Sequence, residues 1–188
     1  MKPRHFSSNG VVLKRHDFGE TDRILVIYSK HFGKLSMIAK GIKKPESKKR
    51  GSLEVFSHIK FAGHAGAGLD IITEAETIEH YSEIRQDLKK VSVAYYLVEV
   101  VNKTTNDAEY HPEIYELLTR YLEILKVTNS LKKFRLDFTY QMLVKLGYWP
   151  ENVKLDDPDT ELEKVIERTL HSVRVGKKVL YAGGETEA

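Results

Sequence analysis

Residues 33–51 read GKLSMIAKGIKKPESKKRG, a strand pattern that runs directly into a lysine-rich loop. Apolar residues at every second position from Leu35 alternate with polar ones, which is the period of a half-buried strand. Gly41 and Pro45 then end the regular pattern. Because the cations of this stretch face a single acid, Glu46, the local field attracts polyanions. The predicted phosphate-binding residues are Lys34, Lys40, Lys43, Lys44, Lys48, Lys49 and Arg50.

Four more strand patterns surround this stretch in the first part of the chain. The predicted strands cover residues 6–15, 24–28, 34–40, 55–61 and 69–73. Turn residues separate them, and no helical pattern lies between them as a βαβ fold would require. Five short strands of this kind favour a small closed barrel of the OB type, with the lysine-rich loop between its third and fourth strands.

From Ser82 the apolar period changes to that of helices. The predicted helices run from 82 to about 102–106, from 112 to 125, from 130 to 147 and from 159 to 170. Ser82 is expected to cap the first helix, Pro112 to open the second and Gly147 to end the third. The predicted fold is α+β, with an OB barrel over 1–81, a helical bundle over 82–181 and a disordered tail over 182–188.

Composition narrows the class of protein. The 188 residues include no cysteine, which suits a reducing compartment, and no apolar run is long enough to span a membrane. The net charge is +5 over residues 1–80 and −2 over the remainder, so the basic excess belongs to the predicted barrel. We therefore expect a cytoplasmic protein that binds a polyanion.

Three other sequence features suggest different functions. Asp17, Glu20 and Asp22 are close enough to suggest a metal-dependent nuclease, although Arg23 beside them is a ready ion partner. The glycines between 63 and 68 suggest a nucleotide-binding loop at first sight. Such a loop precedes a helix, whereas a strand follows here, so a hairpin loop is favoured. Phosphate attraction also fits an OB-fold RNA-binding or ribosome-associated factor, and the basic loop could be incidental in a protein-interaction adaptor. We predict that the protein is not an enzyme.

Two further groups of residues are candidates for binding. One or two barrel aromatics are expected to stack on bases, the candidates being Phe18, Tyr28, Phe32, Phe56 and Phe61. Lys132 and Lys133 lie between Leu131 and Phe134 near a helix start, a pattern that could receive an acidic peptide with a hydrophobic end.

Taken together, these segments resemble the RecO family of bacterial recombination mediators. The matching segments, in order, are GETDR at 19–23, GKL at 33–35, AKGIKK at 39–44, Ser47, LEVFS at 53–57, GL at 68–69, TEAE at 73–76, LKKF at 131–134 and LGYWP at 146–150. The resemblance implies binding of single- and double-stranded DNA, annealing of complementary strands coated by single-stranded DNA-binding protein (SSB), and RecA loading with RecR, all without nucleotide hydrolysis. It also implies that Lys132 and Lys133 bind the acidic C-terminal tail of SSB.

The sequence departs from the family pattern in two places. Many members carry a cysteine zinc site after the Gly-Tyr-x-Pro segment, whereas 151–160 is acidic and lacks cysteine, so we expect no metal or other cofactor. Where the family has Leu-Arg-Arg-Phe-Glu, residues 131–135 read LKKFR. The chain is also short for the family, and because 171–180 resembles the usual C-terminal end, we expect the shortening to be internal.

Overall fold

The computed structural model describes residues 3–44, 53–66, 68–107 and 109–167. Five strands form a closed barrel in the order β1-β2-β3-β5-β4, in which β3 and β5 are parallel and the other neighbours are antiparallel. This arrangement and the helices that follow confirm the predicted OB barrel with a helical region. The strands are β1 (His5–Phe18), β2 (Asp22–Ser29), β3 (Gly33–Ala39), β4 (His58–His64) and β5 (Asp70–Glu79).

Several strand boundaries differ from the predicted ones. Strand β1 continues past the predicted end at Arg15 to Phe18, β2 begins at Asp22 and not at Ile24, and β4 continues past Phe61 to His64. The fourth strand was predicted from Val55 but begins at His58, because Phe56 has a φ of 55° that no ladder accommodates. The fifth strand continues from the predicted end at Thr73 to Glu79. Its acidic second half pairs with β4 while its alternate residues face solvent, so its sequence lacks the apolar alternation that marked the other strands.

The first predicted helix is two helices. The short α1 (Ser82–Arg85) is followed by α2 (Leu88–Thr104), and Asp87 caps α2 by accepting hydrogen bonds from the backbone N–H groups of Lys89 at 2.8 Å and Lys90 at 3.4 Å. The prediction that Ser82 caps the helix start is wrong, because Tyr81, with a φ of 57°, occupies the N-cap position.

The later helices follow the sequence pattern closely. Pro112 begins α3 (Pro112–Leu125), as predicted, and α4 (Leu131–Lys145) ends just before Gly147, whose φ is 76°. A further helix, α5, covers 158–167 within the described residues. None of the helices in the described part of the chain is long and apolar enough to cross a membrane.

The middle of strand β1 is buried on both of its faces and so joins two apolar cores. Val12 packs inside the barrel, whereas Val11 and Leu13 pack with the helices on its outer side. A register irregularity between Val12 and Lys14 increases the local bend of this strand. Tyr28 and Phe56 of the barrel region are fully buried in the same helix-facing core. The helices thus cover one side of the barrel and leave the end at the β1–β2 turn open.

Candidate nucleic-acid interface

The start of the basic loop is attached to the β1–β2 turn by hydrogen bonds. Asp22 accepts a bond from the backbone N–H of Gly41 at 2.8 Å, and Lys43 N–H donates to the carbonyl of Thr21 at 2.9 Å. The pKa of Asp22 is lowered mainly by the Gly41 N–H, then by the Thr21 hydroxyl, with smaller contributions from the charges of Lys40 and Lys44. These bonds fix where the chain leaves β3, so the first lysines of the loop emerge at a defined position.

The predicted cations that can be located in this loop lie together at one end of the barrel. Lys40 and Lys44 are exposed, and Lys43 is partly exposed with its ammonium 3.3 Å from Asp17 Oδ2 and 3.5 Å from the carbonyl of Gly19. Such a cluster attracts phosphate without reading base sequence. The predicted sites Lys48, Lys49 and Arg50 lie outside the described residues.

Lys34 is placed differently from the other predicted phosphate contacts. Its side chain is 11% exposed, and its ammonium donates to the carbonyls of Asn102, at 2.9 Å, and Thr105 at the end of α2. Asp107 lies 3.7 Å away, and burial lowers the pKa of the Lys34 ammonium in spite of that carboxylate. This geometry gives Lys34 a structural role between barrel and helices, and we leave it out of the DNA-binding surface.

The carboxylates considered for a metal-dependent nuclease are used for local structure. Asp17 Oδ1 accepts from Arg23 Nε at 2.9 Å, and this bond is the first cause of the lowered pKa of Asp17. Asp22 holds the basic loop as described above. In the described ranges, Asp17, Glu20 and Asp22 do not come together as a group that could hold a metal ion. The geometry therefore gives the nuclease alternative no support.

The second predicted site is an apolar groove with a cationic rim at the start of α4. The groove has a volume of about 670 Å³ and is lined by Lys89, Asn129, Ser130, Leu131, Lys132, Lys133 and Leu136. Lys132 and Lys133 are exposed and lie in the first turn of α4, where the helix dipole disfavours positive charge. A bound anion would offset that repulsion. The sequence pattern had indicated the two lysines but not Lys89, which the fold brings from the first turn of α2.

Arg135, where the sequence departs from the resemblance described above, does not line this groove. Its guanidinium forms two hydrogen bonds to the carboxylate of Asp159, at 2.8 and 2.6 Å, and lies over the ring of Tyr96 at 4.8 Å. Trp149 Nε1 also donates to the carbonyl of Val153 at 3.0 Å. These contacts hold the segment between Trp149 and Asp159 against α2 and α4.

Comparison with known proteins gives a consistent assignment. The family model for the N-terminal part of recombination protein O matches residues 1–81, and the model for its C-terminal part matches residues 85–153. The chain is 33% identical over 141 residues to DNA repair protein RecO of Bacillus mycoides, covering 75% of this chain and 57% of that protein. It is 38% identical over 123 residues to DNA repair protein RecO of Moorella thermoacetica, covering 65% of this chain and 46% of that protein. The chain thus spans about half the length of these curated relatives, and it belongs to the RecO family.

Proposed function

We propose that this chain is a non-enzymatic DNA-binding mediator of recombinational repair. It binds single- and double-stranded DNA, anneals complementary strands coated by SSB, and assists RecA loading together with RecR. The observation that carries the proposal is the cationic end of an OB barrel, where the exposed Lys40 and Lys44 and the partly exposed Lys43 lie on a loop that hydrogen bonds hold in place. Family membership and the names of the relatives, which are DNA repair proteins, support the same conclusion.

The proposed mechanism is electrostatic. Lysine ammonium groups neutralise phosphates on two strands, so the repulsion between the strands falls and they can pair. No bond of the DNA is made or broken, and the chemistry needs neither a nucleotide nor a metal. The proposal therefore excludes a cofactor.

The decisive experiment is annealing of complementary strands coated with SSB, without ATP and with a chelator present. We expect the protein to accelerate annealing, and a Lys40→Glu, Lys44→Glu variant to lose most of that acceleration. Lys60→Glu is the matched control, because Lys60 is an exposed lysine of the same barrel but lies on β4. Failure of the wild-type protein to anneal, or dependence on added Mg²⁺, would contradict the proposal. Tighter binding of RNA than of DNA of the same sequence would favour the RNA-binding alternative.

The groove at the start of α4 is the proposed site for the C-terminal tail of SSB. Leu131 and Leu136 offer an apolar surface for the hydrophobic end of the tail, while Lys89, Lys132 and Lys133 face its acidic residues. The first turn of α4 contains no acidic residue, so the positive end of the helix dipole is available to the carboxylates of the tail.

Binding of a fluorescent tail peptide tests this site. We expect Lys132→Ala with Lys133→Ala to weaken binding and to reduce its salt dependence, and removal of the hydrophobic terminal residues of the peptide to weaken binding as well. Lys154→Ala is the control, because Lys154 is exposed outside the groove. Wild-type affinity in the double variant would reject the groove while leaving the DNA-binding proposal intact.

A further inference from the structure

The barrel aromatics considered for base stacking differ sharply in exposure. Tyr28, Phe56 and Phe61 are buried, and Phe32 is half-buried with its ring 5.3 Å from the ring of Phe6. Phe18, by contrast, is 52% exposed at the end of β1. A lone exposed phenylalanine is common and needs no function by itself. Its surroundings decide what it is suited to do.

A cation lies close to the backbone that carries Phe18. The ammonium of Lys43 contacts the residues on either side of it, at 3.3 Å from Asp17 Oδ2 and 3.5 Å from the Gly19 carbonyl. Lys40 and Lys44 are exposed on the segment that is hydrogen-bonded to the same turn. Phe18 is therefore exposed on a turn to which the lysine-bearing segment is hydrogen-bonded.

The turn that carries Phe18 is fixed on both sides. Asp17 is bound to Arg23 across the β1–β2 pair at 2.9 Å, and Asp22, which pairs with Phe18 in the strand register, is bound to Gly41 at 2.8 Å. The backbone of Phe18 does not need to be ordered when a ligand arrives, so little of the binding energy would be lost to ordering.

One end of the β2–β3 face of the barrel is covered by the helices. The strand 2–3 face commonly binds oligonucleotides in OB folds, but here Tyr28 is fully buried and donates to the carbonyl of His111, and Lys34 is bound to the end of α2. That end of the face is thus less accessible to a nucleic acid than the exposed Phe18.

We infer that Phe18 stacks on an unpaired base of single-stranded DNA while the neighbouring lysines bind the phosphates on either side. The inference rests on the proposed DNA-binding function and adds a residue that distinguishes single strands from duplex. Unpaired bases present flat faces to an aromatic ring, whereas the bases of a duplex are stacked on one another and present only their edges.

The test compares three probes: oligo(dT), an abasic oligomer with the same number of phosphates, and a duplex of equal length. Phe18→Leu should weaken oligo(dT) binding roughly five- to 100-fold, the range expected for loss of one aromatic–base stack. Affinity for the abasic oligomer and the duplex should stay unchanged, as should the salt dependence. Leucine keeps an apolar side chain, so a surface that only docks an apolar protein partner would tolerate the change. Tyr148→Leu is the control, because Tyr148 is another exposed aromatic, after α4.

The outcomes separate the two proposals. If the wild-type protein binds none of the three probes, the proposed function fails. If the wild-type protein binds all three and Phe18→Leu binds oligo(dT) as tightly as the wild type, or weakens all three equally, base stacking is overturned and DNA binding stands. Melting temperature checks that the variant is folded, and we expect no change because Phe18 is half exposed.

A spectroscopic readout tests stacking without relying on affinity. Trp149 is the single tryptophan of the chain, so Phe18→Trp in a Trp149→Phe background places the indole signal at the site. Saturating oligo(dT) should quench the emission strongly, and the saturating abasic oligomer should not. Equal emission with both oligomers would overturn the inference.

Discussion

Replacing Lys34 with methionine should destabilise the protein without changing its affinity for DNA. Methionine keeps most of the apolar stem but removes the ammonium that donates to the carbonyls of Asn102 and Thr105. The side chain is 11% exposed, so water reaches these carbonyls poorly once the donor is gone. Each buried acceptor left without a partner costs about 1–3 kcal/mol.

The substitution also removes one destabilising contribution. Burial lowers the pKa of Lys34 because the charged ammonium is partly removed from water, and the uncharged methionine side chain has no such desolvation cost. We therefore expect a net loss of about 2–4 kcal/mol in the free energy of unfolding. For a chain of 188 residues this corresponds to a fall of roughly 4–16 °C in melting temperature.

Urea unfolding and salt titration of DNA binding measure the two effects separately. Lys34→Met should lower the urea midpoint and leave the slope of log affinity against log salt unchanged. Lys44→Met should do the reverse, with stability within about 0.5 kcal/mol of wild type and a slope smaller by about 0.7–0.9 if Lys44 makes one phosphate contact. A Lys34→Met protein with wild-type stability and a reduced slope would refute the structural role and restore Lys34 to the DNA-binding surface.

Three further substitutions test other parts of the structure. Gly33→Ala should destabilise by at least about 1–3 kcal/mol, because Gly33 has a φ of +64° and a Cβ there would lie 1.9 Å from the Glu109 carbonyl; a wild-type melting temperature would contradict that close approach. Burial lowers the pKa of His58, which hydrogen-bonds to the Tyr115 hydroxyl at 2.7 Å. The unfolded state therefore binds the proton more readily, stability falls as pH drops below the ordinary histidine range, and His58→Gln should flatten that part of the stability–pH curve. Arg85→Met should cost about 2–4 kcal/mol in urea unfolding, because the guanidinium donates to two backbone carbonyls and a serine hydroxyl; a wild-type midpoint would show that those bonds contribute little.

The barrel was predictable because its signals are local. Alternating apolar residues and Gly33 and Gly41 at positive φ mark the strand ends around the basic loop. The break between α1 and α2 was missed because the apolar period continues across it, and the signal that marks it is Asp87, a good N-cap residue inside an otherwise helical pattern. The sequence favoured continuity, whereas the side chain of Asp87 stabilises a new helix start.

The assignment of individual lysines was less predictable for a physical reason. Lys34 and Lys40 occupy the same strand pattern, six residues apart, and both would face outward from the barrel. Lys34 binds the carbonyl end of α2, whereas Lys40 is exposed to solvent. This difference depends on contacts with residues about 70 positions away in the chain, such as the bond from Lys34 to Thr105. Local composition measures how much positive charge a segment carries, but only the tertiary fold determines which of those charges remains available.

The shared core has a consequence for the proposed two-site function. Val11, Leu13 and Tyr28 of the barrel pack in one apolar cluster with the helices, and Lys34 adds hydrogen bonds across the same boundary. Apolar contact of this kind makes independent motion of the two parts unfavourable. A tail captured in the groove at the start of α4 would therefore be held at a fixed position relative to the cationic end of the barrel. Under the proposed function, binding at one site would raise the effective concentration of the SSB-coated strand at the other, and the rigid geometry would couple the two sites without a conformational change.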